Sequence, residues 1–152
     1  MPALDDAMHN CKTHTAIVEQ YIDGREFSVE FISYRGKHYL LQITDKVTSG
    51  APLFVEMNHH QPANISMEIR GRIEKMVSDA LTALCITDSA SHTEIKLNSH
   101  GELFIIETGA RMGGGHITSD LVRLSTGYDM VRGVLELACG CFTEPVFNLS
   151  MY

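Results

Sequence analysis

The most regular feature of the sequence is a run of apolar residues that recur at spacings of three and four between positions 65 and 84. This period is typical of an amphipathic helix, which buries one apolar stripe and keeps its other face polar. Pro62 stands shortly before the run, where a helix could begin. The pattern predicts a helix of about five turns, carried by Ile65, Ile69, Ile73, Met76, Val77, Ala80, Leu81 and Leu84.

Strands are predicted on both sides of this helix, because β-prone residues there alternate with polar ones or form short apolar runs. Arg35-Gly36-Lys37 and Ser99-His100-Gly101 have the composition of turns that close hairpins. The predicted strands are 16–22, 27–34, 38–46, 53–57, 92–98 and 103–107, and further helices are predicted at 3–12, 116–126 and 129–139.

The order of these elements predicts an α+β domain with a mainly antiparallel sheet packed with helices. A βαβ nucleotide fold is not expected, because the sequence has no Walker phosphate loop and no Gly-x-Gly-x-x-Gly after a strand. With 152 residues, of which 44% are hydrophobic, the chain is long and apolar enough for one domain with a buried core.

The net charge of −7 argues against a nucleic-acid partner. No apolar run approaches the roughly 20 residues that cross a bilayer, and no signal-peptide pattern is visible, so no membrane partner is expected. The four cysteines do not have the spacing of a zinc site and are expected to be reduced, which predicts a cytoplasmic protein. They are Cys11, Cys85, Cys139 and Cys141.

Two carboxylates in the predicted second hairpin are candidate metal ligands. Strand alternation places His92, Glu94 and Lys96 on one face of the first strand, and Glu107 follows four apolar residues in the second. Facing carboxylates repel unless a cation lies between them, and oxygen ligands suit Mg²⁺. The alternative is that Glu94 is solvated and Glu107 pairs with Arg111.

A basic and glycine-rich segment follows this hairpin. Arg111 can bind a carboxylate or phosphate through two hydrogen bonds, and Gly113-Gly114-Gly115-His116 lets the backbone approach an anion at the start of a helix. Alone, such a glycine run is more often a flexible connection. Neighbouring His59 and His60 would point to opposite faces of a strand, so they are not expected to share a metal ion, and a place in the substrate pocket stays open for either.

Three segments together resemble the C-terminal half of an ATP-grasp ligase, in the carboxylate–amine ligase branch that includes dipeptide-forming L-amino-acid ligases. Residues 17–30 resemble the linker and first strand that hold adenine and ribose. His92-Thr93-Glu94 and residues 104–111 resemble the two metal-binding strands of the family. Glu94 and Glu107 lie 13 positions apart. Residues 113–129 resemble the substrate-side loop and helices.

The resemblance implies ATP and Mg²⁺ as cofactors, with Mn²⁺ as an alternative metal. Glu26 is either a ribose ligand, as the resemblance implies, or an exposed strand residue. Lys46 is either a phosphate ligand or a solvated side chain. By family role, the implied ligands are Glu19, Gln20 and Ile22 for adenine through the backbone, Glu26 for ribose, Lys46 for phosphate, and Glu94 and Glu107 for metal.

The same resemblance implies that ATP activates a small carboxylate as an acyl phosphate, which an amine then attacks. His92 would touch the transferred phosphoryl group, and Arg111 would hold the acyl phosphate or the substrate carboxylate. Gly113, Gly114, Gly115 and His116 would line the substrate. Gly109 departs from the family pattern, where asparagine is a further metal ligand. With glycine at this position, either the second metal ion is held more loosely or has water in place of the missing ligand, or the freed space admits a bulkier substrate.

Residues 1–152 are expected to be a single domain that forms the C-terminal portion of a longer ligase, without its N-terminal and lid subdomains. The abrupt start at Met1-Pro2-Ala3 favours an excised piece, which would be inactive alone. A non-catalytic nucleotide- or ligand-binding module is the alternative function, and a purely structural domain is a third. Expected partners are small carboxylate and amine substrates, with a homodimer as another way to cover the apolar edge.

Overall fold

Five strands form one sheet in the order β3–β2–β1–β4–β5, and every pairing between neighbours is antiparallel. The computed structural model describes residues 2–147. The predicted α+β class and the antiparallel sheet are therefore confirmed. The strands are β1 Arg25–Tyr34, β2 Lys37–Thr48, β3 Glu56–His60, β4 Ser89–Leu97 and β5 Leu103–Gly109.

The long helix predicted from the apolar period is present as α2, Met67–Ala83, and Ser66 caps its first turn by accepting a hydrogen bond from the Ile69 amide. The remaining helices are α1 Pro2–Asn10, α3 Val122–Thr126 and α4 Met130–Ala138, and a π-helical turn at Ile117–Leu121 runs directly into α3. None of the helices in residues 2–147 is both long and apolar enough to cross a membrane. The four cysteines are free thiols.

Two predicted strands differ from the structure. Residues 16–22 form no strand, and Ile17 and Val18 remain more than three-quarters exposed. Their β propensity has no effect there because no sheet edge pairs with them. The strand predicted at 53–57 begins later, at Glu56, because Gly50 through Leu53 form a turn with Pro52 inside it.

One face of the sheet packs on α2 and forms the main core. Alternate residues of β1 point to this face, and Ile73, Val77 and Leu81 of α2 lie against them. Burial of these large side chains from water is the main stabilising contribution here. The core consists of Phe27, Val29, Phe31, Leu40, Ile43, Ile73, Val77, Leu81 and Ile95.

The opposite face is divided along the strands. At one end, Ile32 of β1 and Ala90 of β4 pack under Val122 and Met130, so α3 and α4 cover the sheet. Further along the same strands the residues on this face become polar. The sheet thus carries a covered apolar end and a polar end on one surface.

Gly71 lies in the interior of α2 and is exposed, and an added Cβ would meet nothing within 4 Å. We expect Gly71→Ala to raise the free energy of unfolding by about 0.5–1 kcal/mol, because alanine loses less backbone freedom in a helix. Urea denaturation measures this change. Gly101→Ala is the matched control: it also has open space, but its φ of +76° makes alanine strained, so no stabilisation is expected. Equal stabilisation by both variants would contradict the helix-propensity reason.

Candidate active site

The polar end of the sheet is built from side chains aligned across neighbouring strands. Cross-strand partners share a face, so the register decides which side chains meet. The predicted face of His92, Glu94 and Lys96 is confirmed, since Ile95 points into the α2 core. The aligned rows are Lys46, Glu26 and Lys96; then Thr44, Ser28, Glu94 and Glu107; then Glu30 and His92.

Lys46 is the centre of the first ion-pair cluster. Its Nζ lies 2.9 Å from Glu26, 2.9 Å from Glu56 and 2.8 Å from Glu94, and its side chain is only 5% exposed. Burial alone would lower the pKa of Lys46, but hydrogen bonds to Glu94, Glu56 and Glu26 raise it above its ordinary value. The ammonium is therefore charged and satisfied by carboxylates from β1, β3 and β4.

Glu30 and His92 form a second, deeper pair. Glu30 is fully buried, and the Nδ1 of His92 donates to its Oε1 at 2.5 Å. Burial alone would lower the pKa of His92, but the hydrogen bond to Glu30 and the charge of Glu94 raise it to about 9. His92 is therefore an imidazolium at neutral pH, with its second nitrogen directed toward Glu94 at 3.6 Å.

Glu94 lies between these two cations. The charged His92 ring lowers the pKa of the Glu94 carboxyl, burial opposes that effect, and Lys46 lowers the pKa further, to about 2. Its cross-strand partner on β5 is Glu107, as the hairpin prediction requires. Glu107 is largely exposed and lies 3.7 Å from Arg111, so the ion pair expected as the alternative for Glu107 is present.

Gly109 and Gly113 allow close approaches around these residues. A Cβ at Gly109 would lie 3.2 Å from the Arg111 side chain, so glycine lets that arginine fold back over the end of β5. A Cβ at Gly113 would lie 2.6 Å from His92 Nδ1 and 2.9 Å from Glu30 Oε1. The glycine-rich segment is therefore packed on the buried ion pair and is not a free connection.

We expect Gly113→Ala to lower the free energy of unfolding by about 1–3 kcal/mol, because a methyl group there must displace the His92–Glu30 pair. Gly114→Ala is the matched control, since a Cβ at Gly114 meets nothing within 4 Å. Denaturation of both variants measures the difference. A Gly113→Ala variant as stable as Gly114→Ala would mean that the close approach has no energetic weight.

A cavity of about 180 Å³ opens between the polar rows and this segment. It brings together five residues predicted from sequence, namely His92, Glu94, Arg111, Gly114 and Gly115. The other lining residues are Ser28, Glu56, His59 and Ile117.

His59, and not His60, lies in the cavity wall, which is one of the places left open for either from the sequence. Its Nε2 is buried, has no hydrogen-bond partner among the described residues and lies 3.6 Å from Glu56. Gly115, with φ of +58°, packs against the ring, where a Cβ would lie 3.1 Å from Cε1. Strand alternation places Ser28 and Glu30 together on one face, but nothing local in the sequence indicates that β3 brings Glu56 and His59 to the same place.

The predicted adenine-binding residues lie beside the first polar row, on the side away from the cavity. Glu19 and Gln20 are exposed in the irregular segment before β1, whereas the carbonyl of Ile22 accepts a hydrogen bond from Lys96 at 3.1 Å. Lys96 Nζ also lies 5.1 Å from the centre of the Tyr21 ring. His116 is exposed, pairs with Asp120 at 2.9 Å and does not line the cavity.

The acidic side chains around the cavity are candidate ligands for a divalent cation. Across residues 2–147, no group of three or more His, Cys, Asp or Glu side chains is arranged to hold a metal ion. Mg²⁺ is usually bound by one or two carboxylates together with substrate phosphates and water. Glu94 and Glu107, opposite each other on neighbouring strands, fit that kind of site, in which phosphate and water oxygens complete the coordination of Mg²⁺.

Residues 4–120 match the ATP-grasp domain family. The chain belongs to the ATP-grasp family. Within that family it is 30% identical over 112 residues to the alanine–anticapsin ligase of Bacillus subtilis strain 168. That alignment covers 74% of this chain and 23% of the relative, so the chain spans less than a quarter of the relative's length.

Solved ATP-grasp structures are similar in fold. An L-amino acid ligase from Bacillus licheniformis has 38% identity and a TM-score of 0.73, over 77% of this chain and 30% of that one. A biotin carboxylase complex with β,γ-ATP from Campylobacter jejuni has 20% identity and a TM-score of 0.79, over 95% of this chain and 32% of that one. At this lower identity the second likeness shows the fold alone.

Proposed function

We propose that this chain is the C-terminal portion of an ATP-dependent carboxylate–amine ligase. The observation that carries the proposal is the cavity that places Glu94, His92 and Arg111 around one small space beside the glycine-rich segment. The likeness to an L-amino acid ligase over three-quarters of the chain supports the same chemistry. The chain would supply one side of the site, and the rest of the ligase would supply the other.

The proposed reaction has two steps. A substrate carboxylate oxygen attacks the γ-phosphorus of ATP, and ADP leaves. The amine then attacks the carbonyl carbon of the acyl phosphate. The C–N bond forms, the C–O bond to phosphate breaks with its electron pair leaving on phosphate, and the nitrogen loses one proton to solvent. Such transfers need mainly positioning and charge neutralisation, which the imidazolium of His92 and the guanidinium of Arg111 provide in this cavity.

Bound Mg²⁺, or Mn²⁺ in its place, would neutralise phosphate charge, with Glu94 and Glu107 as its protein ligands. The backbone of Glu19, Gln20 and Ile22 would bind adenine. Glu26 would bind the ribose hydroxyls and Lys46 a phosphate. The nucleotide would thus follow the polar rows, from the segment before β1 to the cavity.

The proposed substrates are a small amino-acid-like carboxylate and an amine. Gly114 and Gly115 line the cavity and would form the substrate side, with Gly113 and His116 flanking them in the sequence. We also propose a cytoplasmic location, which the four free thiols support. A homodimer would cover the half-exposed Ile105 and Ile106 on the edge strand β5.

Nucleotide binding tests the site in this chain. We expect MgADP to raise the melting temperature, and Glu94→Gln to weaken MgADP binding at least about tenfold, because a charge-assisted contact to the metal is lost. Glu74→Gln is the matched control, since Glu74 is exposed on α2. Phosphate release by the longer ligase, screened over pairs of amino acids, then tests turnover. Binding without phosphate release would favour the non-catalytic module, and absence of binding would contradict both.

A further inference from the structure

The ammonium of Lys46 lies at the centre of a cluster of carboxylates. Three carboxylates from three different strands converge on its Nζ at 2.8–2.9 Å, namely Glu26, Glu56 and Glu94. One of them, Glu94, is also a proposed metal ligand. A single buried side chain therefore competes with the metal for the same carboxylate.

The number of donors makes this competition strict. A lysine ammonium has three N–H groups, and in this structure three carboxylates accept from it. No donor is left for a phosphate oxygen. If Lys46 is to contact a phosphate, it must first release at least one carboxylate.

The spacing of the carboxylates also disfavours a metal while Lys46 is in place. Mg²⁺ binds oxygen at about 2.0–2.1 Å, so the oxygens around Lys46 are several tenths of an ångström too far from their common centre. A divalent cation would in addition lie next to a buried positive charge. Two like charges so close together repel strongly in a partly buried site.

We propose that Lys46 makes divalent-metal binding at Glu94 conditional on the nucleotide. Without phosphates, its ammonium holds Glu94 and keeps the metal out. When phosphates arrive, they draw the ammonium away and leave the carboxylate to the metal. This inference rests on the proposed function, because it assumes that a nucleotide phosphate reaches Lys46.

The experiment measures binding of Mn²⁺ alone, by electron paramagnetic resonance, to the chain without nucleotide. We expect Lys46→Met to bind one Mn²⁺ saturably. The wild-type chain should bind Mn²⁺ at least about a hundredfold more weakly and without saturation, because its buried unit charge is still present. Lys46→Arg keeps the positive charge and is expected to keep Mn²⁺ out. Lys75→Met is the matched control, since Lys75 is exposed on α2 and pairs only with Asp79 among the described residues.

Two outcomes would overturn the proposal. One is saturable Mn²⁺ binding to the wild-type chain that Glu94→Gln abolishes, and the other is a folded Lys46→Met variant that binds Mn²⁺ no better than wild type. If Lys46→Met does not fold, the double variant Lys46→Met with Glu56→Gln replaces it. This variant has one fewer unpaired carboxylate, and its Mn²⁺ binding is compared with that of wild type in the same way. MgADP binding to wild type is measured separately, so that a failed nucleotide site is distinguished from a failed role of Lys46.

Discussion

Replacing His92 by leucine is expected to lower the free energy of unfolding by about 3–5 kcal/mol, because it leaves a buried carboxylate without its partner. Glu30 is fully inside the protein, and its Oε2 has no hydrogen-bond partner among residues 2–147 even with His92 present. Among residues 2–147, no side chain other than His92 forms an ion pair with Glu30. Urea denaturation at pH 7 measures the loss.

The double variant Glu30→Leu with His92→Leu separates the pair from its members. Replacing both charged groups by apolar ones of similar volume is often neutral, so most of the lost stability should return. Glu30→Leu alone should be as damaging as His92→Leu, because it buries an unpaired imidazolium. A loss below about 1 kcal/mol in both single variants would mean that neither charge depends on the other.

The same pair predicts a pH dependence. The pKa of His92 is raised from 6.5 to about 9 in the folded chain. The protonated form therefore stabilises the fold fully below about pH 6.5, and this contribution is lost as the pH rises through 9. Its size is on the order of 3 kcal/mol. Unfolding free energies at pH 6 and pH 10 should show this loss in wild type but not in the double variant.

Replacing Arg111 by methionine is expected to lower the rate of phosphate release by about 10²–10³, as does loss of one group that stabilises developing negative charge. Arg111 lines the cavity beside His92 and Glu94, where the proposed acyl phosphate would form. Steady-state kinetics of the longer ligase measures kcat and KM separately. MgADP binding should change little, because the proposed contact is to the acyl group.

Arg132→Met is the matched control for Arg111→Met. Arg132 is an exposed arginine on α4 that pairs with Glu136 and lies outside the cavity, so its loss should leave the rate unchanged. Arg111→Lys should recover part of the rate, since it restores charge but not the two parallel hydrogen bonds. An Arg111→Met enzyme with more than half of the wild-type rate would remove Arg111 from the proposed chemistry.

Elements with a strong local signal could be predicted from the sequence. The apolar period of α2 and the alternation in β4 depend on residues near one another in the chain, and both predictions are confirmed. The strand expected at 16–22 is wrong because β structure needs a partner strand. Propensity contains no information on whether a sheet edge is available.

The site follows the same division. Glu94, Glu107, Arg111 and the glycine-rich segment are close in sequence, and their spacing suggested common chemistry. Glu30 and Glu56 enter the cluster only through the pairing of β1, β2 and β3, which the sequence does not specify locally. A buried glutamate on an apolar strand is a usable signal, because it must have a partner, but the partner's identity depends on register.

The alignment of site residues in rows across the sheet has a consequence for how this protein can change. Removing one residue from the middle of β4 would turn every following side chain to the opposite face and move Lys96 toward the α2 core. Substitutions carry no such penalty, and added residues at the Ser99–Gly101 turn would leave the rows intact. In its strands, natural variation should therefore alter side chains but conserve length, and engineered insertions belong at the turns.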